Sequence, residues 1–307
     1  MVDLALVKKL REATGCGISD CNVALTSTEG DYDRAVEWLR KKGFSVAVKK
    51  SGKTATEGLI GIYSNGRVAS IVEVNSETDF VAKNKKFQEL VLDTAKASLN
   101  VIGSANFIDD VKSQSLNGKR IGDEFTEKIN MIGENLQLRR GKTLELVGNG
   151  LVSTYLHNKV TENLGKIGVI LFLKSDASGG ELEELGKQLT MHIAAARPEF
   201  FKGSDVPAER IDREKSIFIE QARNSGKPQN IAEKMVASRI KKFYEESCLM
   251  DQIFVMDNKT KISDLLADFG KKNGSPVEIQ NYVYLVLGEG LSRKENNFAS
   301  EVNSMLK

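Results

Sequence analysis

The pattern of hydrophobic and polar positions predicts a small helical unit at the start of the chain. Apolar residues recur at helical spacing from Leu4, and the segment TGCG at residues 14–17 interrupts them. A short second helix follows, and a third carries apolar residues on one face and is predicted to end at Gly43. We therefore expect three packed helices within residues 1–44 and a polar, basic linker over residues 45–56.

Alternation of apolar and polar residues then predicts strands in two places. Residues 58–74 indicate two strands around a Ser-Asn-Gly turn, and residues 150–173 indicate two more around a longer turn. A helical pattern follows each pair. The extended segments at residues 135–140 and 283–288 are expected to add a third strand to each set. The order of elements is typical of an α+β protein.

The two sets of strands predict two related core subdomains, each an antiparallel sheet covered by helices. We assign them to residues 57–146 and 147–290. A highly charged segment at about residues 207–246 is inserted into the second, as two helices separated by the breaker NSGKP. Its apolar positions suffice for a seam between two antiparallel helices, and they are Ile211, Phe218, Ile231, Met235 and Ile240. The insertion is therefore predicted to form a protruding helical hairpin.

Composition and charge narrow the classes of partner. The chain has 307 residues, and Lys+Arg 44 against Asp+Glu 42 leave a net charge of +2. This balance provides no electrostatic reason for binding nucleic acid or an anionic membrane. The three scattered cysteines fit a reducing compartment, and the charged N-terminal segment resembles neither a signal peptide nor a membrane span. We expect a cytoplasmic protein without direct nucleic-acid or membrane contact.

Patterns that hold cofactors or catalyse reactions are not evident. Two Gly-Lys-Thr segments lack the leading glycine of a phosphate loop, because Ala47 and Leu136 stand in that position. The histidines, His157 and His192, have no cysteine or carboxylate at the spacing of metal ligands. No nucleophile elbow occurs either. We expect no cofactor, no metal site and no bond-making chemistry.

The segment SETDFVAKN at residues 76–84 follows the first pair of strands and leaves two interpretations open. In the first, Thr78 or Ser76 caps a helix, and Phe80 packs on the same face as Phe87, seven residues later. Periodicity alone favours this packing role. In the second, Phe80 lies at the very start of the helix beside an acid, where an aromatic side chain can insert into a pocket of a partner.

Several segments, in order along the chain, resemble one protein family. They are LVKKLREATGCGISDCNVAL, GDYDRAVEWLRKKG, ETDFVAKN, IGENLQLRR, MHIAAARPEF, SGKPQNIAEKMV, FVMD and LGEG. Together they resemble the bacterial elongation factor Ts family, the guanine-nucleotide exchange factors for elongation factor Tu. The resemblance runs the whole length of the chain. It implies a ubiquitin-associated-like N-terminal domain, a coiled coil in the inserted hairpin and a short C-terminal helical module at residues 291–307.

The resemblance also implies which residues contact the partner, elongation factor Tu in its GDP-bound and nucleotide-free states. Asp79 and Phe80 would enter its nucleotide domain and displace the elements that hold Mg²⁺ and the phosphates. The other implied contacts are Thr78, Val81, Ala82 and Lys83 in the same segment, Ile132 and Gly133 at a second contact, Arg11, Ile18 and Ser19 in the N-terminal domain, and His192 against the distal β domain. At Ile18-Ser19 the family commonly has two methionines, so one apolar group is lost here.

Two alternatives belong to other functional classes. A tandem RNA-binding protein would carry aromatic-rich strands in a basic setting, whereas the first strand pair has only Tyr63 and the second only Tyr155 and Phe172. An enzyme with its site between the duplicated halves would be indicated by a small molecule that copurifies in the cleft.

Overall fold

The structure, a computed structural model, describes residues 3–14, 16, 18–50, 53–177, 179–224 and 229–291. Within these ranges the protein combines helices with antiparallel sheets, which confirms the α+β class. The predicted C-terminal module lies outside the described residues except for Leu291, as does most of the breaker NSGKP. No helix in the described ranges has the length and apolar content needed to cross a bilayer. The predicted domain boundaries stay predictions.

Three helices begin the chain, as expected: α1 (Leu4–Thr14), α2 (Ile18–Ser27) and α3 (Tyr32–Lys50). They enclose a small core whose buried members are Val7, Leu10, Cys21, Ala24, Leu25, Ala35 and Leu39. The predicted helix end at Gly43 is wrong, since α3 continues to Lys50 through half of the expected linker. A glycine inside a helix costs only about 1 kcal/mol, which is too little to end a helix by itself.

The remaining elements are both strands and helices. In chain order they are β1 (Glu57–Ser64), β2 (Val68–Ser76), α4 (Lys85–Ser98), α5 (Phe107–Ser113), β3 (Ser115–Leu116), β4 (Lys119–Arg120), α6 (Ile121–Ile132), β5 (Leu136–Glu145), β6 (Gly150–His157), β7 (Leu164–Gly165), β8 (Ile167–Lys174), α7 (Gly180–Ala196), α8 (Ala208–Asn224), α9 (Gln229–Ser247), α10 (Ile262–Asn273) and β9 (Glu278–Val286).

These strands form two main antiparallel sheets and one short hairpin. The first sheet has the order β5-β2-β1-β7, the second has the order β6-β8-β9, and β3 pairs with β4. The predicted strand pairs are therefore confirmed, and so are the added strands β5 and β9. Strand β7 was not predicted. It lies in the long turn between β6 and β8 and pairs with β1, so that it joins the first sheet.

The two sheets pack face to face. Ile60, Ile62 and Ile71 of the first sheet meet Ile170 and Phe172 of the second in one buried cluster. Successive side chains of a strand point to opposite faces, so the neighbouring residues of these strands face outward from this layer.

Helices cover both outer faces. On the first sheet, Leu59 and Val72 pack against Phe87 of α4 and Phe125 of α6, and α6 in turn lies against α3. On the second sheet, residues of β8 pack against α7 and α10. The result is four layers in the order helix, sheet, sheet, helix. Strand β8 is buried on both faces, which explains its almost continuous apolar sequence IGVILFLK.

Glu73 of β2 binds groups from both sheets. Its fully buried carboxylate accepts hydrogen bonds from Arg139 Nη1 at 2.9 and 3.0 Å, from Arg140 Nε at 2.6 Å and from the Gly288 N–H at 2.8 Å. Arg139 and Arg140 belong to β5, whereas Gly288 follows β9 of the second sheet. Burial raises the pKa of Glu73, but these donors outweigh it and hold the pKa below its ordinary value.

Helices α8 and α9 pack against each other, which confirms the predicted pair. Of the predicted seam residues, Ile211, Phe218, Met235 and Ile240 are half-buried. Ile231 is exposed, so its assignment to the seam is wrong.

Candidate functional site

The segment of residues 76–84 forms a turn between β2 and α4. A short 3₁₀ helix spans Val81–Lys83, and the N–H groups of Ala82 and Lys83 donate to the carbonyls of Asp79 and Phe80 at 3.2 and 3.1 Å. Helix α4 begins only at Lys85, since the Asn84 side chain caps it by accepting from the Lys86 N–H at 2.9 Å. The prediction that Phe80 starts this helix is therefore corrected: a separate turn carries it.

Phe80 is exposed, with 74% of its surface accessible to solvent, and Asp79 beside it is exposed as well. Phe87 is fully buried beneath them, and Val81 and Ala82 are buried too. Phe80 thus does not pack with Phe87, and the packing interpretation is wrong. The physical reason is the intervening turn, which breaks the helical register between the two side chains. We call the pair Asp79 and Phe80 the tip.

The capping role considered for Thr78 and Ser76 is also wrong. Ser76 Oγ donates to the Thr78 carbonyl at 2.9 Å. Thr78 instead bonds to Glu134: its N–H donates to Oε2 at 3.0 Å and its Oγ1 donates to Oε1 at 2.6 Å. Both oxygens of one carboxylate therefore hold a single residue next to the tip.

A second carboxylate makes the reciprocal contact. Glu77 accepts a hydrogen bond from the Asn135 N–H at 2.7 Å. Residues 77 and 78 are thus joined to residues 134 and 135, in the loop between α6 and β5. We call these four residues, Glu77, Thr78, Glu134 and Asn135, the clasp.

The clasp brings the second implied contact next to the first. Ile132 is the last residue of α6, and Gly133 ends the helix with φ 82° in the left-handed region. Glycine is favoured in this conformation because glycine has no Cβ atom. Ile132 and Gly133 therefore lie immediately before Glu134, adjacent to the segment that carries the tip.

Two lysines near the end of α3 attach to the same loops. Lys53 Nζ lies 3.0 Å from Glu77 Oε2, and the Asn135 side-chain amide donates to the Lys53 carbonyl at 2.7 Å. Lys50 Nζ donates to the Gly133 carbonyl. Burial raises the pKa of Glu77, but the hydrogen bond from Asn135 and the ammonium of Lys53 outweigh it and lower the pKa. Glu77 therefore stays ionised at neutral pH.

The N-terminal candidates lie on α1 and α2, apart from the clasp. Arg11 and Ser19 are exposed, and 55% of the surface of Ile18 is accessible. An isoleucine with this exposure is available for contact with another protein. Their predicted partner contact stays a prediction.

His192 is in a different situation, because it is completely buried in α7. Its Nε2 lies 3.0 Å from Gln252 Oε1, and its Nδ1 accepts from the Val255 N–H at 3.3 Å. Burial lowers the pKa of His192, against a smaller rise caused by the hydrogen bond with Gln252. The implied direct contact of this side chain with a partner is at odds with its position, since it is buried against residues 252–255, between α9 and α10.

Across the described ranges, no three His, Cys, Asp or Glu side chains are grouped so as to hold a metal ion. An open groove of about 700 Å³ lies between α10 and the start of β9, with a mostly apolar lining that includes Phe201, Met250 and Leu266. None of the tip or clasp residues lines it.

Sequence reasoning missed Glu77, Glu134, Asn135 and Lys53. Thr78 and Glu134 are 56 residues apart, so no local periodicity connects them. The one clue in the sequence to a role for Glu134 was its position directly after the implied contact at Ile132 and Gly133.

Comparison with known proteins gives one consistent result. A family model described as Elongation factor TS matches residues 77–289. An elongation factor Ts of Rhodospirillum rubrum is 48% identical over 306 residues, which cover 100% of this chain and 99% of that relative. Similar proteins of the same name from Rhodospirillum centenum and Rhizobium etli are each 45% identical over 306 residues, with coverage of 99% and 100% of this chain and 98% and 99% of the relatives.

Proposed function

Since the chain belongs to the elongation factor Ts family, we propose that it binds elongation factor Tu with GDP bound, promotes release of GDP, and thereby allows GTP to bind. It acts as an exchange factor and makes or breaks no covalent bond. The observation that carries the proposal is the exposed Phe80 above a buried support.

Exchange requires that the factor bind the nucleotide-free partner better than the GDP-bound partner. Linkage then demands that the factor weaken GDP binding by the same ratio. A contact that forms only after the nucleotide site has opened supplies this difference. We assign that contact to the tip, which enters the nucleotide domain near the Mg²⁺ and phosphate site.

The exposed surface of Phe80 sets the size of this effect. A phenylalanine side chain has about 200 Å² of surface, and 74% of Phe80 is accessible, so about 150 Å² is available for burial. At about 25 cal/mol per Å², this burial stabilises the open complex by at most about 4 kcal/mol. Asp79 adds a negative charge near the phosphates and so opposes GDP.

The remaining contacts complete the proposal. Thr78, Val81, Ala82 and Lys83 support or flank the tip, Ile132 and Gly133 form the second contact, and Arg11, Ile18 and Ser19 meet a helix of the GTPase. We assign residues 1–44 to a ubiquitin-associated-like domain, residues 57–146 and 147–290 to two related core subdomains, and α8 with α9 to a coiled coil. The protein works in the cytoplasm without direct contact with nucleic acid or membrane.

The test is release of fluorescent GDP from elongation factor Tu of the same organism, measured by stopped flow. We compare the wild type with Phe80→Ala and with Val147→Ala, an exposed apolar residue after the far end of β5. The wild type and the control are expected to accelerate release, whereas Phe80→Ala loses most of the acceleration. No acceleration by the wild type would refute the exchange function. Full acceleration by Phe80→Ala would refute the role of the tip alone.

A further inference from the structure

We propose that Glu134 is a positioning residue that holds the tip in its active conformation before the partner binds, an inference that rests on the exchange function proposed above. It does so through Thr78, the residue directly before Asp79. Glu134 itself need not touch the nucleotide or the partner.

The anchors of the tip support this role. On its C-terminal side, the tip is fixed by the buried residues Val81 and Ala82 and by the backbone bonds of the 3₁₀ turn. On its N-terminal side, β2 ends at Ser76, and the next fixed points are Glu77 and Thr78 in the clasp. The tip is therefore two residues held between two anchors, one of which is Glu134.

The geometry of the Glu134 contact suits positioning. One carboxylate oxygen binds the Thr78 N–H and the other binds the Thr78 hydroxyl, so both the backbone and the side-chain rotamer of Thr78 are set. Hydrogen bonds to an ionised carboxylate are shorter and stronger than neutral ones. Removal of the carboxylate leaves the N–H and the hydroxyl of Thr78 without these acceptors.

The clasp also couples the two implied contacts. Because Glu77 accepts from Asn135 while Thr78 donates to Glu134, the two loops are joined at adjacent positions in both directions. Lys53 adds a third segment through Glu77 and Asn135. The clasp therefore joins the tip and the Ile132-Gly133 turn into one surface.

A fixed tip speeds exchange because its ordering has already occurred in the free protein. When a contacting segment is disordered, binding must also order it, and this lowers the affinity for the open state. We expect Glu134→Ala to lower the efficiency of stimulated GDP release about tenfold, equivalent to about 1.4 kcal/mol.

The experiment combines two measurements on the full chain. The first is hydrogen–deuterium exchange of the peptide that covers residues 76–84 in the free protein, and the second is the GDP-release assay over a range of concentrations. The variants are Glu134→Ala, Glu134→Gln and Thr78→Val. Glu145→Ala is the matched control, since Glu145 is an exposed glutamate at the opposite end of β5.

We expect Glu134→Ala to exchange about tenfold faster within residues 76–84 and to release GDP about tenfold less efficiently, while the variant stays folded by circular dichroism. Glu134→Gln should recover much of the loss, because its amide can accept from the Thr78 N–H and donate to the hydroxyl. Adding Thr78→Val to Glu134→Ala should cause little further loss, since both act through the same contact. The control should match the wild type.

Unchanged hydrogen exchange within residues 76–84 in Glu134→Ala would overturn the inference, and so would unchanged GDP release by this variant beside an active wild type. If the wild type itself fails to accelerate release, the exchange function is refuted, while hydrogen exchange still decides whether Glu134 orders the tip. If Glu134→Ala fails to fold, Thr78→Val carries the comparison, because it removes the hydroxyl that donates to Glu134 Oε1.

Discussion

Replacement of Glu73 by alanine removes the carboxylate that binds both sheets. The change leaves Arg139 and Arg140 without their shared acceptor, and both side chains are more than two-thirds buried, with 22% and 32% of their surface accessible. It also leaves the Gly288 N–H without its bond to the Glu73 carboxylate. The loss of one partner from such a cluster strongly lowers the free energy of unfolding, because the remaining charges stay partly desolvated.

The expected cost follows from this burial. Breaking a fully buried ion pair costs about 3–5 kcal/mol, and the partial exposure of the two arginines favours the lower end of that range. A loss of about 3 kcal/mol is large beside the total stability of about 5–15 kcal/mol that is usual for a folded domain. Glu73→Gln should lose less, because its carbonyl oxygen still accepts one or two of the bonds.

The cluster also predicts a dependence on pH. The donors around Glu73 lower its pKa in the folded state, so the unfolded chain binds a proton first as the pH falls. The stabilisation is therefore complete above the ordinary glutamate pKa of about 4.3 and is lost as the pH falls toward the lowered folded pKa. In Glu73→Gln this part of the acid-induced loss should be absent.

Urea unfolding followed by circular dichroism measures both effects, with Glu145→Ala as the control for loss of an exposed glutamate. The control should change the free energy of unfolding by less than about 0.5 kcal/mol. If Glu73→Ala also lost less than about 1 kcal/mol, the cluster would contribute little to stability. That result would refute the claim that the contacts of Glu73 with both sheets stabilise the fold.

Three further predictions concern stability. Phe80→Ala should cost about 1 kcal/mol or less in urea unfolding, because 74% of Phe80 is already exposed, whereas Phe87→Ala should cost about 3–5 kcal/mol; equal costs would contradict the placement of the tip. Because burial lowers the pKa of His192, the wild type should lose stability as the pH falls below about 6.5, and His192→Gln should lose less; parallel pH curves would argue against a neutral buried His192. Gly168→Ala should cost about 1–3 kcal/mol, since its Cβ would lie 2.6 Å from Ile60 Cγ2 between the sheets, and an unchanged urea midpoint would argue against that packing.

Local patterns predicted the kinds of element well and their ends less well. The alternation in residues 58–74 and 150–173 correctly indicated strands, because each strand buries at least one face. The end of α3 was misplaced, since a single glycine is a weak signal for the end of a helix. The start of α4 was misplaced because Asn84, and not Thr78 or Ser76, is the residue that caps it.

The candidate site was only partly predictable. The place of Phe80 beside an acid at the predicted helix start, and then the resemblance, pointed to contact with a partner, but periodicity placed Phe80 on the face of Phe87 and so favoured a buried role. Phe80 is exposed because the 3₁₀ turn separates it from the helix. The error at His192 is the reverse: the resemblance implied contact with a partner, whereas the side chain is completely buried. A motif resemblance carries no information on the burial of a side chain.

The sequence by itself determined the type and order of the main strands, of the N-terminal helices, of the helix after each strand pair and of the inserted helix pair, together with the α+β class and the membership of a family. These follow from periodicity and from matched segments, both of which are properties of neighbouring residues along the chain. Only the tertiary structure decided that the sheets pack face to face, that Glu73 joins them, and that Thr78 meets Glu134 across 56 residues. Periodicity shows which residues share a face, but what covers that face depends on how the whole chain packs.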